Sequence, residues 1–208
     1  MKRIGVIILT LACFVSSAQA QFGYMANQLT EMLSPALSGS FNYKGFVDVA
    51  YLAGLGEMGE KADILEVTTT QGFKYASWCY IGVGAGVNVL FPQSSYSSVK
   101  NDVGVMVPLY SDFRFNIGKP NQVSMFIDMK LGASFVLSSN DFYVGYFYMY
   151  NDPCLYLKPS LGIRLPLSAK NPKLAVNLAV SYQLITPRFS NGSNINFNNL
   201  GATLAFEW

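Results

Sequence analysis

From about residue 44 onward the chain places an apolar side chain at nearly every second position. Between 78 and 91, Cys79, Ile81, Val83, Ala85, Val87 and Val89 occupy one parity and Tyr80, Gly82, Gly84, Gly86 and Asn88 the other. A two-residue period is the mark of a strand with one apolar face. The pattern recurs in eight segments, at about 44–54, 61–73, 78–91, 103–117, 122–137, 154–167, 173–185 and 197–208. From the third segment on, no charged residue falls on the apolar parity. A Lys or Arg on the lipid face of a barrel costs about 2–4 kcal/mol at the bilayer midplane, so such a face excludes charge. A soluble sandwich or lipocalin-type barrel would instead turn its charges outward and its apolar face inward. Here the polar parity is rich in Gly, Ser and Tyr, which suits a crowded lumen.

Composition points the same way. Hydrophobic residues make up 51% of the chain and charged residues 12%, against about a quarter charged in an ordinary soluble domain. Yet outside the first 20 residues there is no apolar run of the roughly 18 residues that a membrane-spanning helix needs. Spanning strands must close on themselves, because lipid offers an open sheet edge no hydrogen bonds. The expected fold is all-β, an eight-stranded antiparallel up-and-down transmembrane β-barrel over residues 44–208. An even strand number puts both chain ends of the barrel in the periplasm.

Residues 1–20 read as a signal peptide: Lys2 and Arg3, an apolar core from Ile4 to Ala12, and Ala18-Gln19-Ala20 for cleavage. A lipoprotein signal using Cys13 is disfavoured by Thr10, which stands where a large aliphatic is wanted. Export leaves 12 basic against 12 acidic residues, a balance that gives no reason to expect nucleic acid or a polyanion as partner. Residues 21–43 form a leader in which Met25, Leu29, Met32 and Leu33 fall near helical spacing before Ser34-Pro35. An interfacial helix, a partial plug and a flexible tail all fit it. Cys79 and Cys154 are expected at opposite barrel ends, beyond the roughly 7 Å Cα limit for a bridge, and so free.

Lys74–Ser77, Gly118–Asn121 and Ser168–Pro172 are tight, turn-rich connections suited to the periplasmic side. The alternate connections, about 55–60, 92–102, 138–153 and 186–196, would face outside. Pro108, Pro159 and Pro166 each remove a ladder donor, and a bulge or a strand end is expected at each. The first two strands alternate less cleanly, with Phe46 inward beside Asp48 and Thr68–Thr70 blurring the phase.

The sequence has no histidine. That removes Ser-His-Asp and Cys-His nucleophile arrangements and histidine-ligated zinc. No phosphate loop, paired-cysteine metal motif or calcium loop is present, and no cofactor is expected. The lumen is left with Asp48, Glu66, Asp112, Asp128 and Glu207 against Arg114, Lys130, Lys158, Arg164 and Lys173. A lumen of eight strands is only wide enough for side chains to fill, and charges buried there must pair. A structural ion-pair network is the first reading. A narrow porin-like channel for small solutes and, more distantly, a lipid-modifying enzyme working with carboxylates alone are the alternatives. Tyr143, Tyr146, Phe147, Tyr148 and Tyr150 crowd the third outer connection. They fit an interfacial aromatic girdle first and a surface-binding edge second.

The signal peptide, the eight alternating segments and the closing run Leu200, Ala202, Leu204, Phe206, Trp208 resemble the small outer-membrane barrels of the OmpA/OmpX group of Gram-negative bacteria. The segments 44–51, 69–73 and 161–164 are similar to those of barrels labelled porin family or outer-membrane β-barrel domain. The resemblance implies integral outer-membrane localisation, outer-membrane lipid as surroundings and a non-enzymatic monomer in an envelope or surface role. It also implies recognition of the closing strand, at Leu204, Phe206 and Trp208, by the barrel-assembly machinery. Unlike OmpA, the sequence carries no peptidoglycan-binding domain after the barrel, so no cell-wall tether is implied.

Overall fold

The computed structural model describes residues 42–56, 61–75, 78–93, 103–119, 121–137, 143–144, 147–148, 152–168, 173–187 and 196–208. The expected signal peptide and nearly all of the leader lie outside them. Ten strands are described: β1 (Asn42–Leu55), β2 (Lys61–Lys74), β3 (Cys79–Gln93), β4 (Gly104–Ile117), β5 (Ser124–Val136), β6 (Tyr143–Val144), β7 (Phe147–Tyr148), β8 (Cys154–Pro166), β9 (Ala175–Thr186) and β10 (Phe197–Glu207). Eight of them close into a barrel in the order β1-β10-β9-β8-β5-β4-β3-β2, every pairing antiparallel. The two short strands, β6 and β7, pair with each other as a separate hairpin within the third long connection. The eight expected strands correspond one to one with the barrel strands.

Alternation decides which way each strand faces. Leu161, Val180 and Leu204 lie outside and are 52%, 60% and 53% exposed, whereas Lys130 and Lys158 lie inside at 2% and 0%. A barrel with aliphatic side chains outside and ammonium groups inside inverts the arrangement of a water-soluble one, and lipid is the solvent that stabilises it. The end where the tight turns and the C-terminus lie carries outward-facing rings: Trp78 stacks on Phe115 with centroids 6.0 Å apart, Phe206 on Trp208 at 6.2 Å, and Tyr43 meets Phe73 edge-on at 6.2 Å. Such rings sit at the headgroup level of a bilayer.

The seam between first and last strands completes the wall. Val47 faces Phe206 and Val49 faces Leu204 on the outside, while Phe46 faces Glu207 and Asp48 faces Ala205 within. Beyond the last strand residue, Trp208 exchanges two 3.1 Å backbone hydrogen bonds with Gly45. Its indole also lies over that glycine: a Cβ there would come 2.3 Å from Trp208 Cζ2. Gly45→Val is therefore expected to push the indole off its seat at a cost of about 1–2 kcal/mol. In a Trp78→Phe background this reads as a shift in Trp208 emission with folding retained; an unchanged spectrum would contradict the seat.

Two expectations are corrected. Pro108 and Pro159 make no bulge: on either side of each the register continues unshifted, from Ala85↔Leu109 to Asn88↔Met106 and from Leu157↔Leu184 to Ser160↔Ser181. Each ring leaves a gap in one ladder, while the other edge pairs normally, Pro108 with Ser134 and Pro159 with Met129. In an antiparallel sheet a residue directs its N–H and C=O to the same neighbour, so a missing donor disturbs one side alone. Pro166, the last residue of β8, is a strand end as expected. Cys79 and Cys154 are both free and buried.

Candidate functional site

The lumen is built in layers along the barrel axis. At the tight-turn end, Glu207 of β10 receives Arg164 of β8 in a two-pronged contact, Nε to Oε2 at 2.8 Å and Nη2 to Oε1 at 2.9 Å. Lys44 of β1 pairs with the same carboxylate. The parity that turns Phe46 and Asp48 inward places Lys44 there as well. Lys173, expected in this set, is instead exposed in the turn before β9, because it precedes the first ladder residue, Ala175.

One layer further in, Arg114 of β4 lies between two rings, with its guanidinium carbon 4.0 Å from the Phe46 centroid and 4.4 Å from that of Phe126. Its Nε donates to Asp128 Oδ1 at 3.2 Å. Asp112, two residues before Arg114, lies against the Asp128 carboxylate, and neither of its own oxygens meets a donor. Two carboxylates thus share the field of one guanidinium and of Lys130, the cross-strand neighbour of Asp112. Lys130 pairs directly with Asp48, and Thr68 Oγ1 donates to that carboxylate at 3.4 Å. The Lys130 ammonium also stands 5.1 Å from the centroid of the Tyr110 ring.

Room for that ring comes from the opposite strand. A Cβ on Gly84 would meet Tyr110 Cζ at 2.5 Å, so only glycine lets the phenol lie flat against the wall. Further along, Glu66 accepts from Lys158 Nζ at 2.5 Å, from Tyr156 Oη at 2.9 Å and from Gln183 Nε2 at 3.0 Å. Ser160, Ser181 and Thr203 link in a hydroxyl chain at 2.8 and 2.7 Å.

The long-loop end carries a feature that the charge pattern did not announce. Leu52, Ile64, Leu90, Met106, Ile185 and Phe197 all point inward and are at most 1% exposed, forming an apolar cluster with Tyr156 and Val136. Each is an apolar residue near the long-loop end of an inward parity that also carries polar side chains, so alternation alone reads it as noise. Only the register of neighbouring strands stacks them at one level. This layer seals the lumen, and beneath it a void bordered by Asp48, Arg114, Asp128, Lys130 and Lys158 has a volume of about 10 Å³, room for about one water. A larger hollow of about 460 Å³ is bordered mostly by outward-facing residues, among them Thr69, Ala85, Leu109 and Ser111.

Nine of the ten expected lumenal charges are therefore brought together within the barrel. Leu204 and Phe206 face outward at the seam, and Trp208 follows them over Gly45. Tyr143 and Val144 pair with Tyr148 and Phe147 in the outer hairpin. Tyr146 and Tyr150, with the side chains of the other aromatics named for that connection, lie outside the described residues. Among the described residues no cluster of three or more Cys, Asp or Glu side chains has metal-binding geometry.

These features define a class: an eight-stranded antiparallel transmembrane β-barrel whose lumen is filled by ion pairs and sealed at one end by apolar side chains. Solved structures similar in chain course include Neisserial surface protein A, with 11% identity over 80% of this chain and 97% of that one and a TM-score of 0.49. The outer membrane protein AlkL, determined in lipid bilayers, has 13% identity over 82% and 89% and a TM-score of 0.45. The Yersinia pestis outer membrane protein Ail has 12% identity over 79% and 99% and a TM-score of 0.40. No protein-family profile and no curated protein sequence matches the chain. The fold assignment rests on the closed ladder itself.

Proposed function

We propose that this protein is a non-enzymatic integral barrel of the bacterial outer membrane, closed to solutes, that serves the envelope as a rigid wall element and presents its long loops at the cell surface. The observation that carries this reading is the sealed lumen. Six large apolar side chains cross it at one level, and ion pairs span it below. An ion crossing that layer would shed most of its hydration shell against apolar side chains, a cost of several kcal/mol. The apolar exterior, the signal peptide read in the sequence and the aromatic rings at the tight-turn end support the outer-membrane placement.

Planar-bilayer recording tests it. Purified refolded protein is expected to leave the bilayer at its background conductance, and a Leu52→Ala, Met106→Ala, Phe197→Ala triple variant to show discrete openings. Stable unitary openings from the unaltered protein, changed by Asp128→Ala or Arg164→Ala, would instead make it a narrow channel and overturn the closed-barrel reading.

A further inference from the structure

The tight-turn mouth of the lumen holds more cations than its acids can neutralise. Its cavity is bordered by Lys44, Lys74 and Arg164, with Glu207 the single carboxylate among the lining side chains. Lys44 and Arg164 already share Glu207. Lys74, the last residue of β2, points into the same cavity, is half-buried, and enters no ion pair with a described residue. Three basic side chains against one carboxylate leave an excess of positive charge in a recess walled by the rings of Phe46 and Tyr80. Like charges held together away from bulk water repel strongly, and an anion entering the recess relieves that repulsion. Asn116 and Ser124 border the cavity too and add uncharged donors. The enclosed space is about 10 Å³, so one oxygen of a larger oxyanion fits within while the remainder stays at the open mouth.

We infer that this mouth is a binding site for a phosphoryl group, with the Lys74 ammonium as its principal contact and Lys44 as the second. Several donors converging from different strands match a tetrahedral oxyanion, which offers several acceptor oxygens, better than a spherical halide. A free phosphate and the headgroup of a phospholipid present the same chemistry at this level of the bilayer. The site lies at the opposite end of the lumen from the apolar seal, and occupancy needs no passage through the barrel.

The test is an NMR titration of the full refolded chain in maltoside micelles, which contain no phosphate, with inorganic phosphate as the probe. Saturable shifts at the amides of Lys74, Asn116 and Ser124 are expected. Lys74→Gln should weaken binding at least tenfold, Lys74→Arg should largely retain it, and Lys119→Gln, which removes an exposed lysine outside the cavity, should leave it unchanged. Backbone spectra of each variant report folding independently of binding. Repeating the titration in phosphatidylglycerol nanodiscs separates the sources: a silenced response with the same amides already shifted assigns the site to the headgroup, and an intact response assigns it to free phosphate. Shifts that do not saturate, binding indifferent to Lys74→Gln in a folded variant, or chloride binding as tightly as phosphate would each overturn the assignment.

Discussion

Arg114→Ala is expected to cost the barrel about 5 kcal/mol, more than any other single lumenal truncation. Breaking a buried ion pair by removing one partner typically costs about 3–5 kcal/mol, because the surviving charge is left uncompensated. Here two carboxylates survive, those of Asp128 and Asp112, which lie against each other. The guanidinium also packs between Phe46 and Phe126, and a desolvated cation–π contact contributes up to about 2 kcal/mol. Urea unfolding of the protein in lipid vesicles, followed by tryptophan emission, measures the loss. Adding Asp112→Asn to Arg114→Ala should restore about 2 kcal/mol, because the amide sets a neutral donor beside Asp128 in place of a second acid. A single variant within 1 kcal/mol of the parent would mean that Lys130 alone holds both carboxylates, and would dissolve this layer as an energetic unit.

How far the sequence discloses this arrangement depends on how local the determining physics is. Strand phase is local: a residue and its second neighbour share a face, so β3 to β5 and β8 to β10 are readable from parity, and with them the inward placement of Asp112, Arg114, Asp128, Lys130, Lys158 and Arg164. Lys44 was equally readable, because it stands two and four residues before Phe46 and Asp48. It escapes notice at a strand start, where boundaries are uncertain by several residues, and the same uncertainty misplaces Lys173 at the start of β9. The apolar seal is not local. Leu52, Ile64, Leu90, Met106, Ile185 and Phe197 come from six strands and meet only because the register is staggered around the barrel. The blurred phase of the first two strands has other causes: Phe46 turns inward against Arg114 and Tyr80, and Thr68 and Thr70 turn inward to Asp48 and Tyr110 while Thr69, on the other face, bonds to the Phe46 carbonyl. Partner choice among the charges is likewise set across the lumen: Lys130 finds Asp48, which is 82 positions away in sequence.

Glu66→Ala is the second large effect, and it probes the junction between the charged layers and the seal. Glu66 is fully buried and is the only carboxylate bonded to Lys158 among the described residues, while Tyr156 and Gln183 donate to the same group. Truncation strands the Lys158 ammonium, itself fully buried, with about 3–5 kcal/mol of lost stability. Tyr156 loses its acceptor, and since its ring stacks on Tyr110 with centroids 5.5 Å apart and also belongs to the apolar cluster, the disturbance reaches the seal from below. Pairing Glu66→Leu with Lys158→Met removes both charges and refills their volume. That double variant should recover to within about 1–2 kcal/mol of the parent, because an apolar replacement of a whole buried pair is far less costly than its halves. The two outcomes together separate charge from packing. If the double variant is no more stable than Glu66→Ala alone, apolar groups do not replace the pair, and the layer depends on the hydrogen bonds that Glu66 accepts from Lys158, Tyr156 and Gln183. If it recovers in urea while bilayer recordings stay silent, the seal alone closes the lumen and the charges beneath it serve the stability of the wall.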